Sequence, residues 1–226
     1  MPAIIFDFDG VIVDSEPLHE AALLQCARER AMSFTHEQYM SKLIGLADRD
    51  CLPVLYQLNG RTPSADEHAS FFKQKKFLVH EMIERGEAKG FPGTLALIRA
   101  AAARVPLAVC SGAIRPEIET VLKAFGIIGS FRAIVSADDV RQSKPEPEGY
   151  LKACAALETS PSQCVAIEDT PTGCRAALAA GLRIIAVGHS LPREAFPASI
   201  ADFVPSTAEL DLGRALRAID PSGSRQ

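Results

Sequence analysis

Five short apolar runs constrain this chain more than any other feature: AIIFDF (3–8), PLAVCS (106–111), RAIVSA (132–137), CVAIED (164–169) and RIIAVG (183–188), with a weaker DFVP at 202–205. Their hydrophobicity is continuous rather than alternating, the pattern of strands buried on both faces in a parallel sheet. Helical patterns fill the gaps at 92–104, 114–125, 147–158, 170–181 and 207–218. In TPTGC, Thr170 is an N-cap with Pro171 at the first helical position, and SPSQ (160–163) sets a serine three residues before a glutamine as in a capping box. Gly126 and Gly181 stand where helix C-caps belong. Strands alternating with helices predict an α/β fold built on a doubly wound parallel sheet.

One stretch breaks the alternation. From 15 to 88 there is no convincing strand, but helical patterns such as PLHEAALLQCARERA and ADEHASFFKQKKFLVHEMIERGEA recur. The expected organisation is therefore an α/β core of residues 1–14 and 89–226, interrupted by a small α-helical domain at 15–88. GFPGT (90–94) reads as the return hinge.

The totals narrow the function class. With 226 residues, 47% of them hydrophobic, the chain has enough apolar surface for a real core. The net charge of -4 and the lack of a basic block beyond FKQKK (72–76) argue against nucleic acid as a partner. The six cysteines form no C-x-x-C pair, and several sit in apolar runs, which fits a reducing cytoplasm. No apolar segment approaches membrane-spanning length, MPAIIF has no basic start of a signal peptide, and no heptad stripe calls for self-association. The expectation is a cytoplasmic, non-membrane monomer.

In open α/β sheets, ligands gather at the carboxyl ends of the strands. Those ends carry Asp7, Asp9 and Gly10 after the first run, Ser111 and Gly112 after the second, Lys144 in SKPEPEGY beyond the third, and Glu168 and Asp169 after the fourth. Singly, each has an ordinary explanation as a turn former, a helix cap or a surface lysine. Capping, however, needs no lysine among carboxylates and no pair of acids inside FDFDG. Converging carboxylates repel by about 4 kcal/mol at 4 Å and an effective dielectric near 20. A hard divalent cation such as Mg²⁺ relieves that repulsion while also taking phosphate oxygens. The set suits phosphoryl transfer, with a carboxylate nucleophile, a second acid for proton transfer, and hydroxyl, ammonium and backbone N–H donors for the phosphate.

Four ordered segments, DFDGV, CSG, SKPEPEGY and IEDTPTGCRAALAAG, resemble the motifs of the haloacid-dehalogenase-like (HAD) superfamily, in the branch with a helical cap inserted after the first strand. The resemblance covers almost the whole chain. It implies Asp7 as nucleophile, Asp9 as general acid/base, and Ser111, Gly112 and Lys144 as ligands of the transferring phosphoryl group. It also implies a Mg²⁺ site at Asp7, Asp9 (through its backbone carbonyl) and Asp169, with Glu168 alongside. Dehalogenases proper in this superfamily lack the second aspartate of the first motif, so Asp9 favours phosphate esters over carbon–halogen bonds.

Substrate choice is expected to lie in the helical insertion. LIGLADRD (43–50) resembles its specificity loop, which makes Gly45 and Arg49 candidate contacts, along with His19 and Lys75. Sugar-phosphate mutases of the β-phosphoglucomutase type carry a lysine just before that glycine and an arginine three residues after it. Here Ile44 and Asp48 hold those positions. The expected activity is accordingly Mg²⁺-dependent hydrolysis of a small phosphorylated metabolite, a sugar phosphate or a phosphoglycolate-like ester. A mutase is the alternative; a receiver-like phosphoacceptor domain or an inactive scaffold is a remote one. Glu148 stands where the superfamily commonly has aspartate, and Arg115 either meets the substrate or faces solvent at the start of a helix. Both roles are open at this level.

Overall fold

The computed structural model describes residues 1–219 apart from 45, 47 and 190, and leaves out the side chains of 48 and 49. In chain order the elements are β1 (Ala3–Phe6), β2 (Val13–Asp14), α1 (Glu16–Arg28), α2 (His36–Lys42), α3 (Asp48–Leu58), α4 (Ala65–Glu84), β3 (Lys89–Gly90) and α5 (Pro92–Ala101). They continue with β4 (Leu107–Cys110), α6 (Arg115–Ala124), β5 (Ala133–Val135), α7 (Glu148–Ala156), β6 (Cys164–Glu168), α8 (Pro171–Ala179), β7 (Arg183–Val187), β8 (Asp202–Val204) and α9 (Leu212–Ile219).

The chain divides into two compact units, residues 1–14 with 89–219 in one and Ser15–Ala88 in the other. The first is built on a six-stranded sheet of order β5-β4-β1-β6-β7-β8 in which every pairing is parallel. From β1 the chain builds outward through β4 and β5, then crosses to the other side and builds through β6, β7 and β8. The order therefore reverses at β1, which is where an open sheet leaves a crevice at its carboxyl edge. Every residue of β1, β4 and β6 is buried, as continuous apolar runs in central strands require. Ile5, Ala108, Ala166 and Ile184 join Tyr150, Ala153 and Cys174 from α7 and α8 in one core cluster.

The second unit has its own core. Leu23, Cys26 and Ala27 of α1 pack with Tyr39, Leu52, Leu55, Tyr56 and Phe71. Capping boxes at Thr35 and Ser64 start α2 and α4, each with its reciprocal Gln38 or Glu67. Among the described residues no helix is long and apolar enough to cross a membrane.

Two local expectations are corrected. Ser160 makes no side-chain cap: Pro161–Gln163 is a single 3-10 turn that runs straight into β6, and the Gln163 side chain accepts from the Met1 nitrogen instead. The last helical pattern is broken, with a 3-10 turn at Thr207–Glu209 and α9 starting afresh at Leu212, where Asp211 accepts the Arg214 N–H at 2.7 Å. Thr170 does cap α8, accepting from the Gly173 N–H, and Gly126 and Gly181 end their helices with φ of 67° and 86°.

Candidate active site

The carboxyl edge of the sheet brings four elements together. Asp7 follows β1 directly, and its N–H still continues the ladder onto Ile167 O at 2.9 Å. Phe8 then closes a tight turn by accepting from Ile12 and Val13, which brings Asp9 against Val13. Ser111 follows β4 with its N–H on Val135 O, and its Oγ accepts the Ala113 N–H at 2.9 Å. That hydroxyl thus shapes the turn after β4 rather than capping α6, whose N-cap is Ile114. Glu168 is the last residue of β6, and Asp169 is the next one along the chain.

Lys144 bridges the two halves of the site, its Nζ 2.9 Å from Asp7 Oδ1 and 2.6 Å from Glu168 Oε1. Glu168 is fully buried and fully bonded. Its Oε1 also accepts the Tyr150 hydroxyl at 2.8 Å, and its Oε2 accepts Asp169 N (3.1 Å), Thr170 N (3.2 Å) and Thr170 Oγ1 (3.0 Å). A carboxylate offers about four lone-pair sites, so five donors saturate it. Asp169 is the opposite case: its Oδ1 is buried and has no hydrogen-bond partner.

Electrostatics follow from this crowding. Burial, then the Glu168 charge, push the Asp7 carboxyl up to about 7, while Lys144 pulls it back. Burial and the charges of Asp7 and Glu168 hold the Asp169 carboxyl well above the usual range. Burial opposes the charge on Lys144, but Asp7 and Glu168 outweigh it and raise its pKa further. One oxygen each from Asp7, Glu168 and Asp169 lie within 4.8 Å of one another. Three clustered carboxylates beside a single ammonium, one of them with an orphaned buried oxygen, fit a hard divalent cation. The Asp9 carboxylate is not in that group.

Two glycines are required by close approach. Gly10 has φ of 72°, and a Cβ there would fall inside the Asp169 carboxylate. A Cβ on Gly173, inside α8, would overlap the carboxylate of Glu168.

The remaining sequence candidates separate. Arg115 is tied down: its guanidinium donates to Ile134 O at 2.8 Å and to Asp139 Oδ2 at 2.7 Å, so it joins α6 to the end of β5. Glu148 accepts the N–H groups of Arg141 and Gln142, both at 3.0 Å, and pairs with Lys152, so it braces the loop leading to Lys144. In the helical unit, His19 lies on α1 with a buried Nδ1 that lacks a hydrogen-bond partner, and Lys75 is a buried, partnered residue of α4. Gly45 and the Arg49 side chain lie outside the described residues. Tyr150 and Thr170 were missed as site residues. Tyr150 stands inside the quoted SKPEPEGY motif and Thr170 next to Asp169, but nothing in the sequence says that a hydroxyl points inward.

The sequence pattern of the haloacid dehalogenase-like hydrolases matches residues 4–187. A phosphorylated carbohydrates phosphatase of Thermotoga maritima is 30% identical over 84% of this chain and 87% of its own length. A β-phosphoglucomutase of Bacillus subtilis is 28% identical over 85% of each. Among solved structures, CbbY from Rhodobacter sphaeroides in complex with phosphate superposes with a TM-score of 0.78, at 29% identity over 95% of this chain and 99% of that one. The chain belongs to the haloacid dehalogenase-like hydrolases.

Proposed function

We propose that this protein is a Mg²⁺-dependent phosphatase that hydrolyses a small phosphorylated metabolite, a sugar phosphate or a phosphoglycolate-like ester, through a phosphoryl group carried on Asp7. The observation that carries the reading is the pairing of Asp7 with Lys144 beside an unpartnered Asp169 oxygen. Asp7, Asp169 and the Asp9 backbone carbonyl would hold the cation, with Glu168 behind them. When bound, Mg²⁺ neutralises charge on the carboxylates and on the phosphate.

An Asp7 oxygen attacks phosphorus; a P–O bond to Asp7 forms as the bond to the leaving oxygen breaks, and Asp9 donates a proton to that oxygen. Asp9 then takes a proton from water, whose oxygen attacks phosphorus, and the bond to Asp7 breaks. Lys144, Ser111 and the Gly112 N–H neutralise and orient the phosphoryl oxygens in both steps. The test is phosphate release across a panel of phosphorylated metabolites with Mg²⁺, with chelator and in Asp7→Asn. Equal inertness of wild type and variant across the panel would sink the proposal.

The similarity to a β-phosphoglucomutase supports a second reading, a sugar-phosphate mutase. Against it, Asp48 would oppose a second phosphate where those mutases carry an arginine. Conversion of glucose 1-phosphate that depends on added bisphosphate would favour the mutase.

A further inference from the structure

We propose that Tyr150 is a positioning residue for phosphoryl transfer: its buried hydroxyl shares Glu168 Oε1 with Lys144 and so keeps the Lys144 ammonium on Asp7. This rests on the phosphatase reading above and concerns a residue the motifs themselves do not assign.

The argument starts from how Oε1 is shared. Lys144 Nζ (2.6 Å) and the Tyr150 hydroxyl (2.8 Å) donate to that one oxygen, and the same Nζ reaches Asp7 Oδ1 at 2.9 Å. Glu168 and Tyr150 are fully buried, so bulk water does not replace a lost donor at Oε1, while the Lys144 side chain is 19% exposed. The other oxygen, Oε2, is held by Asp169 N and Thr170, so the carboxylate cannot turn to compensate. Without the hydroxyl, Oε1 keeps only the ammonium, which is drawn towards Glu168 and away from Asp7. In the reaction Lys144 must follow the charge that develops on the phosphoryl oxygens next to Asp7. A lysine held closer to Glu168 does this less well, and the loss falls on the transition state more than on the bound substrate.

The Tyr150 ring has a separate part. Its face lies 5.2 Å from Lys144 Nζ and packs in the core of the α/β unit. Tyr150→Phe deletes the hydroxyl and keeps that face; Tyr150→Leu deletes both. The two variants therefore separate positioning from packing.

The experiment measures kcat and KM on an aryl phosphate with Mg²⁺, and orthovanadate binding by calorimetry in the presence of Mg²⁺, for wild type and both variants below their melting temperatures. The expected result for Tyr150→Phe is a kcat about 10-fold lower, KM within about twofold, and vanadate affinity weakened in parallel with kcat. Tyr150→Leu is expected to lose at least as much and to melt earlier. Tyr150→Phe with wild-type kcat and vanadate affinity overturns the inference, and does so equally if only Tyr150→Leu is impaired, because the ring alone then matters. A wild-type protein inert in both assays overturns the phosphatase reading and takes this inference with it.

Discussion

Glu168 and Asp169 are neighbours in the chain with opposite hydrogen-bond states. Glu168 gives both oxygens to Lys144, Tyr150, Thr170 and the Asp169 N–H, whereas Asp169 Oδ1 is buried with no partner. A buried carboxylate oxygen left unsatisfied costs free energy that a fully bonded neighbour does not. One acid is thus a fixed part of the scaffold, and the other points at whatever the site binds.

The clearest consequence is a pH-dependent response to Mg²⁺. The Asp7 carboxyl sits at about 7 in the folded protein against 3.8 for the ordinary side chain, and Asp169 is raised as well. Between those values the folded state holds a proton that the unfolded state has lost, so metal-free stability falls as pH rises from about 4 to 7. Asp7 alone accounts for roughly 4 kcal/mol at most. Mg²⁺ bound at these acids would take the place of the proton, so thermal melts at pH 8 should shift upward with Mg²⁺ far more than melts at pH 5. Equal shifts at both values would contradict the assignment.

Asp7→Asn should abolish turnover while raising the metal-free melting temperature at pH 8, because it removes one of three crowded carboxylates. Lys144 keeps Glu168 as its counter-ion in this variant. A variant both inactive and less stable would mean that the Lys144–Asp7 pair outweighs the repulsion.

Lys144→Met should lower stability instead and also abolish turnover. It strips the shared cation from Asp7 and Glu168, and removing one partner from a buried ion pair costs about 3–5 kcal/mol. Urea unfolding without Mg²⁺ measures this loss directly.

Gly173→Ala tests close approach. The added Cβ displaces the Glu168 carboxylate, with an expected cost of about 1–3 kcal/mol and loss of activity. Gly60→Ala is the control: its φ of 65° also disfavours a side chain, but nothing lies near the new Cβ. It should cost about 1–2 kcal/mol and leave kcat unchanged.

Arg115→Ala should leave KM unchanged and reduce stability by about 1 kcal/mol, since its guanidinium is partly exposed and holds Ile134 O and Asp139. A large rise in KM would return Arg115 to the list of substrate contacts.

The sequence by itself determined the α/β class, the strand positions and the rim acids. Continuous apolar runs have few solutions other than buried parallel strands, and the residues that end such strands in an open sheet share one edge. It placed Lys144 at the same edge from its position beyond the third apolar run. Only the tertiary structure decided which partners each group takes. Tyr150 and Thr170 act through hydroxyl directions, Arg115 through bonds to β5 and the turn after it, Glu148 through bonds to the loop before α7, and the Gln163 side chain goes to the Met1 nitrogen rather than back to Ser160. Apolar burial is non-directional and leaves its trace in composition along the chain. Hydrogen bonds depend on distance and angle, and those exist only once the elements have packed.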